Sequence, residues 1–296
     1  MFSMGLRYIL NALPVVSYVI LLSFSYSFLL YICGRVSLTF AGIYLVGAYA
    51  TVSLSIALMG NNLSFAGFMG ILLLASLLGA AMLVASYLCF ERFLKTDVHR
   101  MVATSSLLLV FRGLVKVVWG TTPVTYSAPF LELGVSEIAG NIVPNYYLFM
   151  LGLALLLMLA LAYFLNRTSW GMRFRASSLD GDRTMAQACG VNQNLVTLMT
   201  FAISGVLAGL AGGLYAPIAG AAYGSEANAL LLAALSVIIG GVGSIGGAVL
   251  AAFIVGIVRA VAAIKMPVLE LAVPFIIASA TLMLRPFGIW GKEFRY

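Results

Sequence analysis

Nine apolar runs, at about 12–33, 38–59, 66–90, 101–119, 146–165, 196–217, 228–240, 246–264 and 269–284, take up most of this 296-residue chain. A helix rises about 1.5 Å per residue, so about 20 apolar residues cross the hydrocarbon core of a bilayer. The seventh run is short and ends in Gly240-Gly241, as a half-helix or re-entrant segment would. Backbone polar groups inside lipid must be satisfied within the spanning segment, which selects helices. The runs therefore predict an all-α, polytopic bundle of eight or nine spans, with no strand of consequence. Only 8% of residues are charged, against about 25% in ordinary soluble domains. Lipid must supply the rest of the solvation.

The net charge of +7 does not indicate nucleic acid, because the basic residues sit in the breaks between runs. Arg92, Lys95 and Arg100 occupy one break, Arg167, Arg173, Arg175 and Arg183 a second, and Arg285, Lys292 and Arg295 the C-terminus. The positive-inside rule places all three in the cytoplasm. Segment 120–145 has no lysine or arginine, and the break at 217–228 has only Glu226, so both belong outside. Nine spans with an external N-terminus satisfy every assignment and leave Arg7 outside. The first run is too long for a signal-peptide core and is followed by no small-residue cleavage site, so it reads as a retained span.

Enzymatic readings have little to stand on. The one histidine, His99, lies beside Arg100 in a basic break, and Cys33, Cys89 and Cys189 have neither metal-type nor disulfide spacing. No catalytic, cofactor or metal residue is expected. Gly241-Val242-Gly243-Ser244-Ile245-Gly246 matches the dinucleotide pattern G-x-G-x-x-G. That pattern requires a preceding strand and an acidic residue about 20 positions on, and neither is present. Gly241 and Gly243 instead predict a tight turn between spans. Gly205, Gly209 and Gly213 recur every four residues, a spacing that lets helices approach closely. That surface either simply packs or slides when a channel opens.

Arg112 and Lys116 share one face of the fourth run. Counted from Met101, they lie about 16 and 22 Å into the bilayer. Lys116 can snorkel to the interface. Arg112 requires either a partner, for which Glu132 and Glu137 are candidates, or a role in contacting a substrate carboxylate. Phe40, Tyr44 and Ser204, with Arg112, are candidates for lining a path. A proton- or sodium-coupled transporter would need an acid or histidine within the spans, and no run carries an acid deep within it. A passive channel remains compatible with composition but needs no docking element.

The basic loop at about 166–195 looks like such an element. Asp182 suits a helix N-cap, residues 183–189 a short helix, and Gly190 its stop. Small Ala186 and Ala188 suit a surface seated in a groove. This loop, with Arg175-Ala176, Met185-Ala186, Gly190-Val191-Asn192 and the following Thr200-Phe201 and Leu207–Gly212, resembles the permease subunits of bacterial branched-chain amino-acid ABC importers. Importers of urea and short amides belong to the same group. Gly240–Val249 is similar to the family's glycine turn, Arg285–Gly291 to its C-terminal signature, and Leu45–Tyr49 to its second-helix ending. The family's histidine near the second helix is absent from Leu38–Gly42.

The resemblance implies that residues 1–296 form one permease domain in the inner membrane of a bacterium, with a cytoplasmic C-terminus. Its partners would be a second permease, two cytoplasmic ATPases that hold ATP and Mg, and an external solute-binding protein. Arg175, Asp182, Arg183, Ala186 and Gly190 would couple it to an ATPase. The solute would be a small amino acid, most simply a branched-chain or hydrophobic one, with urea or short amides as the alternative.

Overall fold

A computed structural model describes residues 2–59, 64–94, 96–126, 133–138, 141–179, 181–285 and 287–291. The apolar runs all fold as helices: α1 (Phe2–Cys33), α2 (Thr39–Met59), α3 (Phe65–Ser86), α4 (Asp97–Trp119), α5 (Asn145–Arg167), α8 (Gln193–Ala219), α9 (Ser225–Gly240), α10 (Ile245–Lys265) and α11 (Ala272–Leu284). The short helices α6 (Ser169–Ala176) and α7 (Arg183–Ala188) lie in the basic loop. Seven of the nine apolar helices are long enough to cross a membrane, whereas α9 and α11 have 16 and 13 residues. At 1.5 Å per residue, those two fall short of a hydrocarbon core of about 30 Å.

Two details differ from expectation. The third apolar run is interrupted, since α3 gives way to a single π-helical turn over Tyr87–Glu91. Segment 120–145 also contains a small antiparallel hairpin, β1 (Val135–Ile138) paired with β2 (Asn141–Pro144), Val135 opposite Pro144. That segment lies between apolar runs, and a short ladder satisfies its backbone groups locally.

Helices α1 and α8 form the centre. Small residues decide this. Ser17, Ser23, Ser25 and Ser27 of α1 are fully buried. Ser25 and Ser204 bond reciprocally, each hydroxyl donating to the other's carbonyl, at 2.8 and 3.2 Å. On α8, Gly205 and Gly209 lie against the α3 backbone: a Cβ at Gly205 would be 2.6 Å from Ala80 Cα, and one at Gly209 would be 3.1 Å from Ser76 Cα. Gly213 abuts Thr51 of α2 and Leu72 of α3, and Gly47 of α2 seats on Gly209 from the other side. The glycine stripe is therefore a three-helix seam, the packing use of small residues in apolar bundles.

The described connecting segments fall at two ends of the bundle. One end gathers the basic breaks, α6, α7 and the α9–α10 turn, and may be called the basic end. The opposite end gathers the described parts of segment 120–145 and the α8–α9 turn, joined by a bridge between Val124 and Ala221.

Candidate functional site

At the basic end, the loop helix α7 forms from its own sequence. Asp182 caps it by accepting from the N–H groups of Thr184 (2.9 Å) and Met185 (3.2 Å). The Thr184 hydroxyl and these two N–H groups hold the Asp182 carboxyl below the usual range. Gly190 ends the helix at φ +82°, and the Val191 N–H turns back to the Ala186 carbonyl at 3.0 Å. A residue with a Cβ resists that left-handed turn.

The loop is pinned to the bundle. Phe174 of α6 is fully buried between Phe28 of α1 and Phe164 of α5. Arg183 donates to the carbonyls of Ile32 (3.1 Å) and Ser177 (3.2 Å), and the Leu179 N–H donates to Tyr31 at 2.9 Å. Two expected coupling residues therefore face inward. Arg183 is an anchor, and Ala186, only 4% exposed, packs against its own chain. Ala186 is the buried position of α7, so its small size serves internal packing. The outward face is Thr184, Met185, Gln187, Ala188 and Cys189, with Met185 69% exposed. Arg175 is exposed and lines a cleft of about 810 Å³ with Asn166, Tyr31, Phe24, Gly243 and Trp290.

The glycine turn and the C-terminal segment form one unit. Gly241 and Gly243 have φ values of +99° and +88°. A Cβ at Gly241 would lie 2.5 Å from Gly291 Cα, and one at Gly288 would lie 2.5 Å from the Gly241 nitrogen. The N–H groups of Ile289 and Trp290 donate to the carbonyls of Ile239 (2.9 Å) and Gly240 (3.1 Å). Pro286, Lys292 and Arg295 lie outside the described residues, as does Lys95.

Three of the four expected path residues are interior. Phe40 is fully buried and stacks on Tyr26 at 4.7 Å, Tyr44 packs against Tyr18, and Ser204 is the α1–α8 contact described above. None of the three lines the cleft at the basic end. Their size and polarity serve helix contacts within this chain.

Arg112 is different, since its side chain is 38% exposed. Helix α4 begins four residues before Met101, which puts Arg112 about 22 Å along it and about 10 Å from Trp119. It lies in the third of the helix nearest the opposite end. Among the described residues its partner is not Glu137. Glu137 is exposed and Glu132 lies outside the described residues. Instead, Arg112 Nε sits 3.2 Å from Glu226 Oε1, and the guanidinium lies over the Tyr223 ring at 4.7 Å. Glu226, in the first turn of α9, is 1% exposed, so a carboxylate is buried in the bundle after all.

A second pair escaped the sequence reading. Arg259 lies about 21 Å along α10. It donates to Glu270 Oε1 at 3.0 Å and also to the Tyr18 hydroxyl. Tyr215 of α8 stacks on Tyr18 with centroids 4.2 Å apart. The available signal was a lone arginine inside an apolar run, the same signal that drew attention to Arg112.

Comparison with known proteins follows this geometry. Residues 8–282 match the family described as "Branched-chain amino acid transport system / permease component". The chain is 24% identical over 304 residues to the high-affinity branched-chain amino acid transport system permease protein LivH of Escherichia coli K12, covering 97% of this chain and 96% of that protein. It is 25% identical to the probable LivH of Methanocaldococcus jannaschii, covering 84% and 82%. It is 31% identical over 161 residues to the autoinducer 2 import system permease protein LsrC of Yersinia pseudotuberculosis, covering 52% and 44%. Among solved structures, a chain of PsaBC from Streptococcus pneumoniae in complex with Fab superposes with a TM-score of 0.50 at 16% identity, covering 96% and 93%, a likeness of fold. With a match across residues 8–282 and apolar helices throughout, the chain belongs to the permease family of branched-chain amino-acid ABC importers.

Proposed function

We propose that the whole chain is one transmembrane domain and forms half of the translocation path of an importer for a small hydrophobic amino acid. The match across residues 8–282 carries this reading. The second half would be another permease, identical or homologous, with two ATPases that hold ATP and Mg and an external binding protein. The basic end is read as cytoplasmic, because Arg35, Arg92, Arg100, Arg167, Arg173, Arg175 and Arg285 gather there. On that reading the C-terminus is cytoplasmic and the hairpin external. With α9 and α11 counted as shortened spans, the bundle crosses nine times.

Coupling is assigned to the outward face of α7. The helix is capped at both ends and tied to α1 through Arg183, so a push on Met185 passes into the central helix rather than into a slack loop.

Met185→Asp places a charge on an exposed apolar contact without disturbing a buried group. The variant is expected at normal level in the membrane, with ATPase co-purification and amino-acid uptake both lost. Normal co-purification together with normal uptake would remove α7 from the coupling role.

A further inference from the structure

The two arginine–glutamate pairs differ in how completely they are satisfied. Arg259 and Glu270 share a hydrogen bond, and Tyr18 takes another donor of the same guanidinium. That is how a pair built to hold helices together should look. Arg112 and Glu226 are close, yet the Arg112 Nε–H makes no hydrogen bond. Among the described residues, neither Glu226 oxygen accepts one either, although the residue is 1% exposed. Buried carboxylate oxygens in native proteins almost always have donors. Here the acid has charge compensation, from Arg112 and from the α9 N-terminus, but lacks hydrogen-bond donors.

The pair is open on its Arg112 side. Arg112 lies on α4, most of whose face is unburied, with Leu109, Val110 and Leu114 exposed around it. A Cβ at Gly113 would meet nothing within 4 Å, and one at Gly224 would meet only Arg112 Nη2, at 3.7 Å. The guanidinium, resting on Tyr223, is the reachable member and Glu226 the shielded one. Two turns along α4, Trp119 packs on Tyr49 of α2 at 5.6 Å and donates to Ser53, so an aromatic wall stands beside the pair.

We propose that Arg112 and Glu226 recognise the two charges of a zwitterionic amino acid by exchanging each other for it. The solute carboxylate takes the fork of Arg112, and the solute ammonium supplies to Glu226 the donors it lacks. The exchange is electroneutral. Each buried charge leaves one opposite charge only as it gains another, which avoids the penalty of an unpaired ion in a low-dielectric setting. Urea or an amide offers neither charge and cannot make the swap, so the pair discriminates by substrate class. This inference rests on the amino-acid reading above.

The test uses the full transporter with its ATPases and binding protein in proteoliposomes. Variants are Glu226→Gln, which keeps shape and loses the charge, and the double swap Arg112→Glu with Glu226→Arg, which keeps an internal ion pair. Both are expected in the membrane at the parent's level and with the parent's ATPase co-purification. ATP-driven leucine uptake is expected to fall about tenfold or more, the loss of a charge-assisted hydrogen bond. Parental uptake by Glu226→Gln would overturn the proposal. So would a double swap that restores stability and uptake together, since that is the behaviour of a structural pair. If the swap does not assemble, Glu226→Gln alone decides. A parental transporter that imports no amino acid defeats the amino-acid reading itself, a result separable from failure in the variants.

Discussion

Gly47 on α2 offers a sharp measure of how the bundle is held together. A methyl group added there would lie 2.6 Å from the Gly209 carbonyl oxygen and 2.7 Å from its Cα. Ordinary contact begins near 3.4 Å, so Gly47→Ala must part α2 from α8 by about 0.8 Å. The strain cannot be relieved on the far side, because Gly209 is already pressed against Ser76 of α3. Overpacking of this kind costs about 1–3 kcal/mol. Against it stands the helix preference of alanine over glycine, up to about 1 kcal/mol. Gly70→Ala is the control, since that glycine is exposed on α3 with nothing within 4 Å of its absent Cβ. The propensity gain is common to both variants and cancels between them. Unfolding in one detergent should therefore place Gly47→Ala about 1–3 kcal/mol below Gly70→Ala. Equal stability of the two variants would refute the three-helix seam.

Three further outcomes are expected. Gly288→Ala, at φ +80° and 2.5 Å from the Gly241 nitrogen, should release the C-terminal segment from the glycine turn, seen as faster amide exchange at Ile289 and Trp290. Phe174→Ala removes a fully buried ring and should cost about 3–5 kcal/mol, with protease cleavage appearing in 168–190 before the spans unfold. The depressed Asp182 carboxyl makes the start of α7 most stable above the ordinary aspartate range. Exchange protection of Thr184 and Met185 should be lost as pH falls through the folded value, and Asp182→Asn, which still caps, should remove that pH dependence.

Helix positions were legible because hydropathy reports which residues can lie in lipid. All nine runs became helices, and the caps Asp182 and Gly190 delimited α7 because capping is a local matter of neighbouring N–H groups and φ. Neighbours were not legible. A span that is apolar on every side does not reveal which face is packed, so Phe40, Tyr44 and Ser204 looked available for a path but lie inside. Ala186 was misplaced for the same reason, since a six-residue helix has too few positions to show a buried stripe. Arg112 and Glu226 are 114 residues apart in the sequence, and the approach of α4 to the start of α9 is a tertiary event. The interlock of Gly241 with Gly288 and Gly291 joins two motifs that the sequence presents separately, as a turn and a tail.

The central claim is that this chain carries an amino acid across a membrane at the expense of ATP hydrolysed by its partners. The direct measurement is uptake of labelled leucine by proteoliposomes holding this permease with its partner permease, ATPases and binding protein, with and without ATP. The account predicts leucine accumulation that requires ATP, stops when the ATPases are omitted, and is not inhibited by urea. Leucine entry that proceeds without ATP, or urea import with no leucine import, would contradict it.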